Sequence, residues 1–299
     1  MIEIKNLTKS YGETVAVEDI SLKVENGSVY GLVGFNGAGK TTLIKCVAGV
    51  YKPDRGQALI DGKDTFACPE VRQKMFYFSD EQWYPKYASL LKTAQYYAGY
   101  YPDFDFDMLR KLSEIFSLDI NAKLGSFSKG MLRQAITIIG MSAKPSALLL
   151  DEAFDGLDPA IRSRMNNMLL DYAAEKECSV LISSHNLHEI SDICDKVALI
   201  NGRKIAMECS VDEAGADRCK FRLAFESEKT EADFEGFDIR KLRGDGKMVT
   251  LSLKGDEEEN EAKLRAMNPL LLEKFPLTLE EIFLEEMEGS DYDFREIFS

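Results

Sequence analysis

Gly34, Phe35, Asn36, Gly37, Ala38, Gly39, Lys40, Thr41 and Thr42 fit the pattern G-x-x-x-x-G-K-[ST]. That spacing makes a phosphate-binding loop. Its glycines let backbone N–H groups turn inward on an anion, and a helix opening at its end adds positive potential. Lys40 is expected to reach the β- and γ-phosphates of a nucleoside triphosphate, and the Thr41 hydroxyl to hold Mg²⁺. Asp151 and Glu152 end an apolar run over 147–150. A carboxylate at the end of a buried strand beside such a loop orders the Mg²⁺ shell, which suits Asp151. Glu152, next to it, can polarise an attacking water as general base. His185 follows the apolar run 180–182 and is placed to hydrogen-bond the transferring γ-phosphate. His188, the other of two histidines, would make a metal pair with it, but no third ligand accompanies them, and His188 reads as a surface helix residue.

These groups need strands and helices to converge. An apolar strand over 29–33 precedes the loop, and a helix over 43–48 follows it, ending near Gly49. Further buried strands are expected over 147–150 and 179–183, with a helix over 162–176 between them. A hairpin through Asn201-Gly202 closes the unit. Strands alternating with helices imply an α/β fold with a mainly parallel sheet. Alternating strands near Ile2 and Ile4 and over 21–24, with another over 57–60, predict an antiparallel β subdomain. Residues 84–144 read as a helical subdomain.

The character changes near Asp212, and 213–289 reads as a small C-terminal α+β domain followed by a tail over 290–299. There, 221–225 alternates as a strand, and Gly244-Asp245-Gly246 can turn a hairpin into a strand over 249–253. A helix is expected over 257–267. Thr278-Leu279-Glu280-Glu281 is a capping box for a helix reaching Met287 and ending at Gly289. No ligand constellation stands out in this domain, which reads as a stabilising appendage or dimer platform.

Composition narrows the class. The chain has 299 residues, enough for one large domain and a small one, and its formal net charge is −14. That balance argues against broad electrostatic binding of nucleic acid. No run of roughly eighteen apolar residues is present, so no membrane span is expected. Met1-Ile2-Glu3-Ile4-Lys5 shows no signal-peptide core, and the six scattered cysteines read as reduced cytosolic thiols.

With these residues in this order, the chain resembles the nucleotide-binding subunits of ABC transporters over about 1–212. The resemblance implies a P-loop NTPase core, with ATP and Mg²⁺ as cofactors. In that family an aromatic residue near the start stacks on adenine, and Tyr11 matches it. Residues 34–42 match the family's Walker A, 148–151 its Walker B, and Glu152 its catalytic carboxylate. Gly156-Leu157-Asp158 matches its D-loop and His185 its switch histidine. The signature, commonly Leu-Ser-Gly-Gly-Gln, stands here as Phe127-Ser128-Lys129-Gly130-Met131. The Ser128 hydroxyl and Gly130 backbone can still contact a γ-phosphate, helped by the following helix dipole. The family's Q-loop glutamine falls at Asp80, with Glu81 or Gln82 as alternatives, and a carboxylate there can bind Mg²⁺ or its water.

In the family, one subunit's signature closes over ATP held by the other's phosphate loop. The resemblance therefore implies a second ATP-binding subunit, homo- or heterodimeric, and a separate transmembrane permease. It places the chain in the cytoplasm, peripheral on the inner face of the cell membrane. The Ser-Lys-Gly-Met form and the C-terminal domain resemble the ATPases of bacterial ABC-2-type exporters. A soluble ABC ATPase acting on ribosomes or nucleic acid is the alternative, though such proteins usually carry two cassettes or a long coiled-coil insertion. A P-loop kinase or GTPase would leave the signature and the Asp151-Glu152 pair unexplained. The aromatics Trp83, Tyr84, Tyr87, Tyr96, Tyr97, Tyr100, Tyr101 and Phe104 read either as the core of the helical subdomain or as a groove for a short permease helix.

Overall fold

The computed structural model describes residues 1–299 except 80–83, 86, 155, 188–190, 212–217 and 288–299. Asp80, Glu81, Gln82, Trp83, His188 and Gly289 lie outside the described residues, as does the boundary near 212. The chain divides into two compact units, Met1–Glu208 and Cys209–Ser299.

In the first unit, β1 (Ile2–Tyr11) and β2 (Thr14–Val24) pair antiparallel, and β4 (Arg55–Ile60) adds to the other edge of β1. The two-residue β5 (Lys63–Asp64) completes this sheet in the order β2-β1-β4-β5. Ile2, Ile4, Leu7 and Ile20 point inward and share one core with Leu43, Ile44 and Val47 of α1 (Lys40–Val47).

The second sheet contains β3 (Val29–Val33), β6 (Met75–Phe78), β7 (Ala147–Asp151), β8 (Ser179–Ser184), β9 (Lys196–Asn201) and β10 (Lys204–Ser210). Their order is β10-β9-β3-β8-β7-β6. Every residue of β3, β7 and β8 is buried. Continuous burial is what a parallel strand covered on both faces requires. β8 pairs parallel with both β3 and β7, so the three run side by side in one direction. Three loops therefore leave the same edge of the sheet, the place where ligands bind open α/β sheets.

Helices α2 (Leu90–Ala98), α3 (Phe106–Ile115) and α4 (Lys129–Ser142) fill the expected helical segment. Ser89, Asp105 and Ser128 cap them, each accepting from a backbone N–H of the first turn. α4 presses close on β6: a Cβ on Gly140 would lie 2.5 Å from the Phe76 ring. Part of the aromatic cluster is packed and part is exposed. Tyr97 and Tyr101 pack on Phe76, and the Tyr101 hydroxyl donates to the Met75 carbonyl at 2.9 Å. Tyr87, Tyr96 and Tyr100 are exposed. Helix α5 (Pro159–Lys176) starts earlier than expected, because Asp158 caps it and Pro159 suits its first position.

The second unit is an antiparallel sheet of β11 (Arg218–Ala224), β12 (Asp238–Asp245), β13 (Met248–Lys254) and β14 (Leu271–Phe275), in the order β12-β13-β11-β14. One face packs Phe221, Leu223, Val249, Leu251 and Leu253 against Leu264 of α6 (Glu257–Ala266). The capping box forms at α7 (Leu279–Met287). Glu281 N donates to Thr278 Oγ1, and Thr278 N to the Glu281 carboxylate, both at 3.2 Å. β14 was not legible in the sequence. It is an edge strand with no buried residue, so it lacks the inward alternation that marks a strand.

Candidate functional site

The phosphate loop folds by glycine at two tight points. Gly39 has φ +106°, and a Cβ there would sit 2.5 Å from the Ala16 carbonyl and from Val17 Cγ1. A Cβ on Gly34 would sit 2.7 Å from the Ile200 carbonyl. Between them, Asn36 and Gly37 turn the chain, and Ala38 N donates to the Phe35 carbonyl at 3.0 Å. α1 begins at Lys40, directly behind Gly39, and brings its N-terminal N–H groups to the loop.

Lys40 is only 4% exposed, and its Nζ donates to the Gly34 carbonyl at 2.5 Å and the Phe35 carbonyl at 3.2 Å. Glu152 Oε1 is 3.7 Å away. Burial pulls the Lys40 ammonium below the ordinary lysine value, and the Glu152 and Asp151 carboxylates hold it part of the way back up. The ammonium rests on loop carbonyls that phosphate oxygens can replace.

Asp151 and Ser183 are register partners on β7 and β8. Ser183 Oγ donates to Asp151 Oδ1 at 2.7 Å, and Thr41 Oγ1 donates to the same oxygen at 3.2 Å. The backbone N–H of Glu152 donates back to Ser183 Oγ at 3.1 Å and to the Ser183 carbonyl at 3.2 Å. Glu152 itself has φ +50°, in the left-handed region. For a residue with a Cβ this costs roughly 1–2 kcal/mol. The two bonds to Ser183 hold the strained turn, and the turn bends the Glu152 carboxylate back toward Lys40. Ser183 is the residue that sequence reasoning missed. Its signal is the pair Ser183 and Ser184 ending the strand after the apolar Val180, Leu181 and Ile182.

The remaining residues arrange around this centre. His185 follows Ser184, the register partner of Val33 at the end of β3. Its Nδ1 is buried without a hydrogen-bond partner, an orphan that a ligand can satisfy. The Tyr11 ring is 47% exposed, and its hydroxyl lies 3.4 Å from Thr42 Oγ1. Tyr51 meets it edge-on at 5.9 Å and the Lys9 ammonium lies over the ring at 5.7 Å, so a flat partner would stack on the opposite face. Ser128 caps α4, accepting from Met131 N at 3.2 Å. Gly130 faces Leu157, whose side chain a Cβ would touch at 3.4 Å. Asp158 accepts from Ala160 N at 2.9 Å. The structure thus joins Gly34, Lys40, Thr41, Asp151, Glu152 and Ser183 through direct contacts. Ser128 and Gly130 form a separate feature at the start of α4, beside the Leu157 loop.

Thr41 and Asp151 present hydroxyl and carboxylate oxygens to one another, the hard donors that Mg²⁺ takes. The groups present therefore fit a triphosphate with its metal.

The ABC transporter family pattern matches residues 17–155, from within β2 to just past Glu152. The ABC transporter ATP-binding protein YtrB of Bacillus subtilis (strain 168) is 28% identical over 295 residues, covering 97% of this chain and 99% of that protein. Methionine import ATP-binding protein MetN 1 of Listeria innocua is 30% identical over 278 residues, covering 88% of this chain and 82% of that protein. Among solved structures, an ATP-binding subunit of an ABC transporter superposes with a TM-score of 0.67 at 25% identity, over 72% of this chain and 92% of the other. Loop, strand-end carboxylates and relatives agree, and the chain belongs to the ATP-binding ATPase subunits of ABC transporters.

Proposed function

We propose that Lys40, Asp151, Glu152 and His185 hydrolyse ATP in a site that a second ATP-binding subunit completes. The observation that carries this is the chain of bonds from Thr41 through Asp151 and Ser183 to the strained Glu152, with Lys40 beside it. ATP would lie with its phosphates on the 34–42 loop and its base against Tyr11. Lys40 would leave the Gly34 carbonyl for the β- and γ-phosphates. Mg²⁺, held by Thr41 and Asp151 and by Asp80 if that residue fills the Q-loop position, would supply positive charge to the phosphate oxygens. Glu152 would take the proton of the attacking water, and His185 would donate a hydrogen bond to the transferring group.

Ser128 and Gly130 open a helix whose N-terminal N–H groups suit a γ-phosphate. They would serve the ATP of the partner, with Asp158 near the contact. Triphosphate then holds the dimer closed, and hydrolysis releases it. That motion would work a separate membrane permease, in the export direction that the signature and C-terminal unit favour. As in its family, the chain would sit peripherally on the cytoplasmic face against its permease; no helix among the described residues is long and apolar enough to cross a membrane.

Light scattering on the Glu152→Gln chain tests the sandwich. Mg-ATP should double its mass when the partner is a second copy, or when a purified partner subunit is added, and ADP should not. A mass unaffected by ATP in both arrangements would overturn it. For direction, cells lacking the chain should hold more of the transported compound, and depletion would mark an importer. Recovery of ribosomes, without a multi-spanning protein, from a detergent pulldown would support a soluble ATPase instead.

A further inference from the structure

The antiparallel sheet of the second unit has a polar face opposite its core. On it lies a cavity of about 290 Å³ lined by Lys220, Arg222, Lys241, Arg243, Thr250, Ser252 and Glu281. Strand register explains the arrangement. β13 runs between β12 and β11. Its Ser252 stands opposite Lys220 on one side and Lys241 on the other. Its Thr250 stands opposite Arg222 and Arg243. Residues two apart share a sheet face. The six therefore form two rows, each with a hydroxyl between two cations. Between the rows, Leu251 and its partners Phe221 and Leu242 belong to the other face and join the core.

Two cations on β11 and two on β12 flank β13, so positive charge gathers on this face. Among the described residues around the cavity, Glu281, ion-paired with Lys220, is the acidic one. It shows the chemistry that the face accepts. A second, independent sign comes from the floor. Ser252 is 4% exposed, and its Oγ has no hydrogen-bond partner. A buried hydroxyl left unpaired costs roughly 1–3 kcal/mol, which an acceptor oxygen in the cavity would offset. Neighbouring strands lie about 4.8 Å apart, so the cations of one row stand roughly 9.6 Å apart across β13 with the rows roughly 6.8 Å apart, a span over which four long side chains can close on a group with anionic oxygens at both ends. Guanidinium groups suit phosphate oxygens in particular. In a chain of net charge −14, such a cluster is a local site and not part of a general attraction for anions.

We propose that this face binds a small anion carrying a diphosphate group, at a site separate from the 34–42 loop. Inorganic pyrophosphate is the probe, titrated calorimetrically into the full chain carrying Lys40→Ala so that the loop contributes little. One equivalent should bind. Adding Arg222→Gln with Arg243→Gln should weaken binding by about tenfold or more, with a single cooperative melting transition as the fold control, since Arg222 also stacks over Phe275. Ser252→Ala alone should weaken it severalfold without lowering the melting temperature, which a purely structural hydroxyl would not do. No binding by the Lys40→Ala chain would overturn the site. So would an affinity that neither the arginine pair nor Ser252→Ala changes.

Discussion

The chain presents positive charge in two ways. At the end of the parallel sheet, one lysine is nearly sealed from solvent, held on backbone carbonyls and faced by two carboxylates. On the antiparallel sheet, four partly or fully exposed cations sit in two rows around hydroxyls. The first site is mostly backbone: glycine geometry, a helix start and three parallel strand ends make it. Its charge therefore cannot be changed without disturbing the loop. The second is made of side chains on a finished sheet, so it can be removed while the sheet stays intact. Buried charge gives geometric control at a cost in stability, and surface charge gives affinity at little cost.

The largest separation of the two should come from Lys40→Met. It removes charged hydrogen bonds to phosphate and should weaken ATP binding by about 10- to 100-fold. Pyrophosphate binding on the second sheet should not move. Loss of both on this one substitution, read by calorimetry, would break the distinction.

Ser183→Ala comes next. It frees one bond to Asp151 and one from the strained Glu152 N–H, so turnover should fall about tenfold or more. Stability should fall by roughly 1–3 kcal/mol, measured by denaturant unfolding. Turnover within twofold of the parent would show that the strained turn needs no such support.

Lys40→Met should also change how stability depends on pH, because it removes an ammonium whose burial is costly while losing its bonds to the Gly34 and Phe35 carbonyls. The sign follows from the lowered Lys40 pKa: the unfolded chain binds the extra proton between the folded value and 10.5. The cost is full below that window and fades as pH rises through it. The melting temperature of the parent, measured relative to the variant, should therefore rise toward pH 10.5. The smallest effect belongs to Arg222→Gln with Arg243→Gln, whose stability should fall by no more than about 1 kcal/mol, the Arg222 guanidinium losing its place over the Phe275 ring.

The two sites also differ in how far the sequence shows them. The loop is legible because Gly34, Gly39, Lys40 and Thr41 lie within one short stretch, and its chemistry needs them consecutive. Asp151, Glu152 and His185 are legible because each follows an apolar run that can only be a buried strand. Ser183 acts through cross-strand register with Asp151, which no local pattern records. The cationic rows are hidden for the same reason: 220, 222, 241, 243, 250 and 252 meet only when three antiparallel strands take one register. To the sequence reading that no ligand constellation stands out in this unit, the register adds a cationic face that no local pattern records.

The strained carboxylate is the centre of the account, and steady-state hydrolysis by Glu152→Gln tests it most directly. Turnover should fall by about 10²- to 10⁴-fold while ATP affinity stays within a few-fold of the parent. Turnover close to that of the parent chain, with ATP bound as tightly, would contradict the role of Glu152.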